Sequence, residues 1–137
     1  MEWTPQQQAI VEAMAAGARY PVARFELHRD GDPRYCEVVQ GYVHWDAPAQ
    51  TAQQADAYAA AFSELAQQGA VVLEDASRVW VAGDFDVYYK SPLYARLCQE
   101  TLAQARKNPE SSGLLPYLRR AYASLTPAAL GALSARR

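Results

Sequence analysis

The chain has 137 residues, half of them hydrophobic and a fifth of them charged, which fits one globular domain with a core of its own. A formal net charge of −2 argues against general attraction to nucleic acid, and no apolar run reaches the ~18–20 residues that a membrane helix needs. The first residues lack the basic and apolar regions of a signal peptide, and the two cysteines form no metal or redox motif. We therefore expect a cytoplasmic protein in which the thiols of Cys36 and Cys98 are reduced, unpaired and mostly buried.

Residues 4–7 predict the start of a helix. Thr4 can cap the helix, Pro5 suits its first position, and Gln7 can complete a capping box. Ile10, Val11 and Met14 then form the face that we expect to be buried.

Residues 22–45 have the pattern of a β-hairpin. The first half alternates apolar and polar residues, residues 30–33 (Asp-Gly-Asp-Pro) are turn formers, and the second half is rich in β-branched and aromatic residues. Gly41 is a candidate β-bulge in the second strand.

The register of this hairpin stays open. Pairing Leu27 with Cys36 aligns apolar residues but sets Glu26 opposite Glu37, which is unfavourable. A shift of one residue places His28 opposite Cys36 instead.

Residues 50–89 predict a helix and a hairpin on which we expect the rest of the chain to pack. Thr51 and Gln54 form a second capping box, an alanine-rich helix follows to residue 68, and Gly69 ends it. Residues 71–73 and 79–81 are short apolar runs around a four-residue turn, which predicts a second hairpin.

The remaining residues predict short helices. One begins at Ser91-Pro92 and ends at Asn108-Pro109, one runs from about Pro116 to Leu125, and the last begins at Thr126-Pro127. The sequence thus predicts a single α+β domain over residues 1–137. Two antiparallel β-hairpins would form a sheet of about four strands, with about five helices in a single layer on one face.

Charge is divided unevenly along this chain. Residues 1–89 carry five arginines against thirteen acidic residues, a net charge of −8, whereas residues 90–137 carry a net charge of +6. The two halves can neutralise each other within one globule, or the basic half can bind an anionic partner. Candidates for a basic surface are Arg106, Lys107, Arg119 and Arg120, which we expect on the polar faces of the C-terminal helices.

Residues 51–81 are similar to one element of the winged helix-turn-helix family, in which a recognition helix leads into a β-hairpin wing. The resemblance implies DNA binding. It covers that element alone, because a hairpin replaces the two helices that the family has upstream. The would-be recognition helix also contains no Lys or Arg to meet a phosphate backbone.

Enzyme and metal motifs are weak. His28, Cys36 and His44 fall on the first hairpin and could form a thiol site, although Cys36 also suits a small core position. Asp84 and Asp86 could bind a divalent cation, but a solvated strand end explains them as well. We expect no cofactor and no metal requirement for folding.

The leading functional hypothesis is a small protein–protein interaction module of the adaptor, inhibitor, immunity or antitoxin-like kind, which binds another protein or forms a homodimer. Nine tyrosines against three phenylalanines favour contact surfaces that are partly exposed to water. Trp80, with Tyr88 and Tyr89 close in sequence, is the candidate interface. The alternatives are a nucleic-acid-binding protein and a small enzyme with its site on the first hairpin.

Overall fold

The computed structural model describes residues 1–17, 20–29, 31–44, 51–74 and 114–137, with a few isolated positions between 95 and 107. These residues form an α+β fold, as predicted. The elements in chain order are α1 (Pro5–Ala15), β1 (Tyr20–Arg29), β2 (Asp32–His44), α2 (Ala52–Gln67), β3 (Val71–Glu74), β4 (Leu114–Leu125) and α3 (Pro127–Arg136).

The four strands form one curled antiparallel sheet in the order β2-β1-β4-β3. Strands β1 and β2 are a hairpin, and Gly31 in its turn has the positive φ of +78° that glycine tolerates best. Strand β4 lies between β1 and β3 and pairs with β1 without a register shift, from Tyr20 opposite Ala123 to Arg29 opposite Leu114. The strand that joins β1 to β3 in the sheet therefore lies far from β1 in sequence.

The short helix predicted from Pro116 to Leu125 is wrong, because these residues belong to β4. Its buried residues Leu118 and Ala121 belong to opposite alternating sets, so the sequence lacks the alternation that marks a half-buried strand. Long-range pairing with β1 and β3 overrides the local pattern here.

The predicted pair of hairpins and five helices also overstates the described fold. The described partner of β3 is β4, and residues 79–81 lie outside the described residues. The helix predicted from Pro92 is described only at isolated positions, which are helical. The described part of the chain has three helices, and none of them combines the length and hydropathy needed to cross a bilayer.

Helix ends follow their local signals closely. The capping boxes at Thr4 and Thr51 are both formed, and Thr126 caps α3 by accepting a hydrogen bond from the backbone of Ala129. Gly69 follows α2 with a φ of +78°. These predicted boundaries are confirmed.

The core lies on both sides of β1. Val22 and Glu26 belong to one alternating set of side chains, Phe25 and Leu27 to the other, and all four are buried. Residues on both faces of β1 are therefore buried at these positions. Helix α2 packs on β2, and α1 and α3 contact β4.

The hairpin adopts the shifted register. His28 lies opposite Cys36, Leu27 opposite Glu37 and Glu26 opposite Val38, so the pairing of Leu27 with Cys36 is wrong. This register separates the two glutamates. The pairing slips between Val43 and Gln40, which brackets the bulge predicted at Gly41.

Candidate functional site

Five polar side chains meet on one face of the sheet. Arg24, Glu26 and His28 occupy alternate positions of β1 and so point to the same side. Arg119 of β4 lies opposite Arg24, and Cys36 of β2 lies opposite His28. We call these five residues the Glu26 cluster.

Glu26 is the centre of the cluster, and its side chain has no exposed surface. Its Oε2 accepts hydrogen bonds from the Nε atoms of Arg24 and Arg119, the latter at 2.7 Å. Its Oε1 lies 2.7 Å from Nε2 of His28. A single carboxylate thus joins two arginines and a histidine from two strands.

The electrostatics of Glu26 follow from these contacts. Burial by itself would raise the pKa of the carboxyl, but hydrogen bonds from Arg119, His28 and Arg24 outweigh it and lower the pKa to about 2. The same carboxylate raises the pKa of Arg119. Glu26 is therefore ionised at neutral pH, and the two guanidinium groups leave an excess of positive charge in the cluster.

Aromatic rings hold the cluster from two sides. The ring of His28 stacks on Tyr117, with 4.3 Å between the ring centroids. The guanidinium of Arg24 lies over the ring of Tyr42, 5.3 Å from its centroid. Both contacts restrict the orientation of the side chain concerned.

Cys36 is a poor nucleophile in this setting. Partial desolvation of the thiol, its hydrogen bond to Glu26 and the negative charge of that carboxylate all raise the pKa of Cys36, although the residue as a whole is exposed. Reactive thiols need the opposite shift, toward the thiolate. His44 lies opposite Val22, six residues along β1 from His28 and so roughly 20 Å away. The three hairpin residues therefore do not form one catalytic group.

A pocket of about 290 Å³ lies beside the cluster, between β2 and α2. Arg24 lines it together with Leu73 of β3. The rest of its apolar wall comes mainly from Val38, Gly41 and Tyr42 of β2 and Ala59, Phe62 and Ala66 of α2. Gly41 allows the close approach of these elements, since a Cβ there would lie 3.1 Å from the Cβ of Ala59. We call this cavity the α2–β2 pocket.

The other predicted site residues are scattered or outside the described residues. Trp80, Tyr88 and Tyr89 lie outside them, as do Asp84 and Asp86. Arg106 and Lys107 are exposed. Arg119 and Arg120 lie on a strand rather than on a helix, where Arg119 binds Glu26 and Arg120 donates a hydrogen bond to the hydroxyl of Tyr122.

The cysteine predictions are half right. Both thiols are free, as expected, but Cys36 is exposed and Cys98 half-buried, so the expectation that both are mostly buried is wrong. Cys36 lies on β2, an edge strand among those described, and this leaves the thiol open to solvent.

Sequence reasoning missed Arg24 and Glu26 as site residues, and it assigned Arg119 to a basic helical surface rather than to this cluster. The signal in β1 was the run of polar side chains at every second position, from Arg24 to His28, within a strand that is otherwise apolar. Arg119 carried no such signal, because its place depends on the pairing of β4 with β1.

The sequence matches no known protein-family model, and neither a curated protein nor a solved structure is significantly similar to it.

Proposed function

We propose that this chain is a small cytoplasmic protein–protein interaction module that binds an extended segment of another protein at the α2–β2 pocket. An apolar side chain of that segment would enter the pocket, and a neighbouring carboxylate would bind Arg24. Two free thiols fit a reducing compartment.

The observation that supports this proposal is the way in which Arg24 is held beside the pocket with part of its guanidinium unbound among the described residues. Its Nε is bound to Glu26, and its guanidinium is held over Tyr42. Within the described part of the chain its Nη atoms have no hydrogen-bond partner, and 29% of the side chain is exposed. An arginine fixed in this way at the wall of an apolar pocket is a prepared anchor for a carboxylate.

Charge complementarity favours an acidic partner. Arg24 and Arg119 share one counter-charge, Glu26, so the site keeps a positive excess next to its apolar wall. A carboxylate beside an apolar side chain matches both properties, and buried or half-buried ion pairs discriminate strongly between partners of opposite sign.

Strand β2 adds a second kind of contact. It has 13 residues and lies at one edge of the described sheet, and Val38 on it is 47% exposed although it lines the pocket. Unpaired main-chain groups at a sheet edge can pair with an extended peptide, and side-chain pockets then supply specificity. This geometry explains why we expect an extended segment rather than a helix.

Selection from a random peptide display library tests the proposal. We expect enrichment of peptides that carry Asp or Glu, or a free C-terminus, next to a large apolar residue. Arg24→Gln should weaken their binding at least tenfold, or about 1.4 kcal/mol, in a fluorescence titration. Arg34→Gln, an exposed arginine elsewhere on β2, is the matched control and should have no effect.

A second pair of variants leaves the Glu26 cluster untouched. Ser63 is an exposed residue of α2 at the pocket, so Ser63→Phe should block it, whereas Gln53→Phe on the same helix should not. Selected peptides that bind Ser63→Phe as tightly as the wild type would overturn the proposal. So would a wild-type dimer in sedimentation that Ser63→Phe dissociates, because the pocket would then serve self-association.

The two alternative functions have less support. In the nucleic-acid alternative, Arg119 would need to face a phosphate, but its Nε is bound to Glu26 and only 16% of its side chain is exposed, against 29% for Arg24. In the enzyme alternative, Cys36 would need a lowered pKa, and its pKa is raised.

A further inference from the structure

The Glu26 cluster contains three different metal-binding groups in close proximity. The carboxylate of Glu26, the imidazole of His28 and the thiol of Cys36 offer donor atoms that all lie within 4.8 Å of one another. We propose that these three residues bind one Zn²⁺ ion, with a fourth coordination position open to water or to a group from a partner. This site is independent of the peptide-binding function proposed above.

The sheet holds the three donors in place. Glu26 and His28 are two residues apart on β1, and Cys36 is the cross-strand neighbour of His28, so the backbone register fixes all three. Tetrahedral zinc has bonds of about 2.0–2.3 Å, which places its ligand atoms roughly 3.3–3.6 Å apart. Side-chain shifts of about 1 Å thus bring these donors to zinc geometry, and the exposed thiol gives the ion a path of entry.

The two arginines orient the carboxylate for this role. Both bind Oε2, so Oε1 remains on the side of His28. Hydrogen bonds to the non-coordinating oxygen of a ligand carboxylate are a common way to fix its direction. The stacking of His28 on Tyr117 fixes the imidazole in the same way.

The arginines also oppose any added cation, and this decides which metals fit. When Zn²⁺ binds, the thiol of Cys36 loses its proton, a Zn–S bond forms, and the new negative charge offsets half of the charge of the ion. His28 gives up its hydrogen bond to Oε1 and presents a nitrogen lone pair, while its ring proton moves to the other nitrogen. Mg²⁺ and Ca²⁺ prefer oxygen ligands and form no thiolate bond, so the repulsion excludes them.

Titration of the purified, metal-free protein with Co²⁺ and Zn²⁺ tests the site. Co²⁺ should produce a thiolate-to-cobalt charge-transfer absorption with one equivalent bound, and Zn²⁺ should displace it. Calorimetry in buffers of different ionisation enthalpy should show release of about one proton per zinc ion. Mg²⁺ should give no saturable signal.

Variants assign the ligands. Cys36→Ser and His28→Gln should each lower zinc affinity at least tenfold, whereas Cys98→Ser should leave it unchanged. Circular dichroism shows whether each variant is folded, and a rise in melting temperature with Zn²⁺ should occur in the wild type and in Cys98→Ser only. Absence of the charge-transfer band in the wild type, or its survival in Cys36→Ser, would overturn the proposal. Peptide binding is measured without metal, so the two proposals can fail separately.

Discussion

At the scale of single residues, Glu26 is the charged residue that the described part of the chain buries most completely. It is an acidic residue in the interior, where a charge is stable only when it is paired and hydrogen-bonded. Arg24, His28 and Arg119 supply that pairing, and they come from strands that are adjacent only in the folded sheet.

Replacing Glu26 by glutamine should therefore destabilise the protein. The change leaves two partly buried guanidinium groups without their counter-charge, which costs about 3 kcal/mol of unfolding free energy. Denaturant unfolding of Glu26→Gln measures this loss. Glu37→Gln is the control, because Glu37 is exposed and, among the described residues, its carboxylate accepts a side-chain hydrogen bond only from the hydroxyl of Tyr35. A similar loss in both variants would contradict the role given to Glu26.

The pH dependence of stability should report the same residue. Its pKa is about 2 in the folded chain against 4.5 as the ordinary value, so the unfolded state binds the proton more readily. The stabilisation is present in full above pH 4.5, decreases as the pH falls through the interval down to about 2, and is absent below it. Its size is on the order of 3 kcal/mol. Denaturant midpoints at pH 7, 5 and 3 should fall more steeply in the wild type than in Glu26→Gln, and equal slopes would contradict the assignment.

At the scale of elements, helix termini are determined by local chemistry. In a capping box, a threonine and the glutamine three residues later accept hydrogen bonds from each other's backbone N–H groups, whatever the helix packs against. Both predicted boxes are formed. The glycine after α2 likewise serves a local need, since only glycine adopts a positive φ without strain.

Two glycine substitutions should have opposite effects for this reason. Gly69→Ala places a Cβ at φ +78°, which costs about 1 kcal/mol even though no atom lies within 4 Å. Gly131→Ala lies in the exposed interior of α3, again with nothing within 4 Å, and should stabilise by about 0.5–1 kcal/mol. Thermal unfolding of both variants measures the difference, and a stabilised Gly69→Ala would show that the helix does not end as described.

At the scale of the whole molecule, the order β2-β1-β4-β3 places two strands inside and two at the described edges. Strand β1 is paired along both sides, with β2 from the same hairpin and with β4 from the C-terminal part of the chain. The stability of the fold should therefore be concentrated in β1 and β4.

Native-state hydrogen exchange should show this concentration. Backbone amides of β1 between Val22 and Leu27 should open only with global unfolding, because both of their neighbours must separate first. Amides of β2 between Arg34 and Val38, on an exposed edge strand of the described sheet, should exchange through smaller local openings. Equal protection of the two sets would contradict this distribution of stability.

The sequence by itself determined the features that depend on neighbours along the chain. The capped starts of α1, α2 and α3, the end of α2 at Gly69 and the first hairpin with its bulge near Gly41 all follow from local signals, and all are confirmed. Each of these signals acts over a few residues, so no tertiary contact is needed to interpret it.

Only the tertiary structure decided the identity of β4 and the composition of the candidate site. The residues from Pro116 to Leu125 become a strand because their backbone groups pair with those of β1 and β3. The sequence of the segment itself does not show that these partners exist. The hairpin register, which local patterns left open, places His28 opposite Cys36, and the pairing of β4 with β1 brings Arg119 to Glu26. A buried charge must find its partners, and those partners lie up to 93 residues away in the chain.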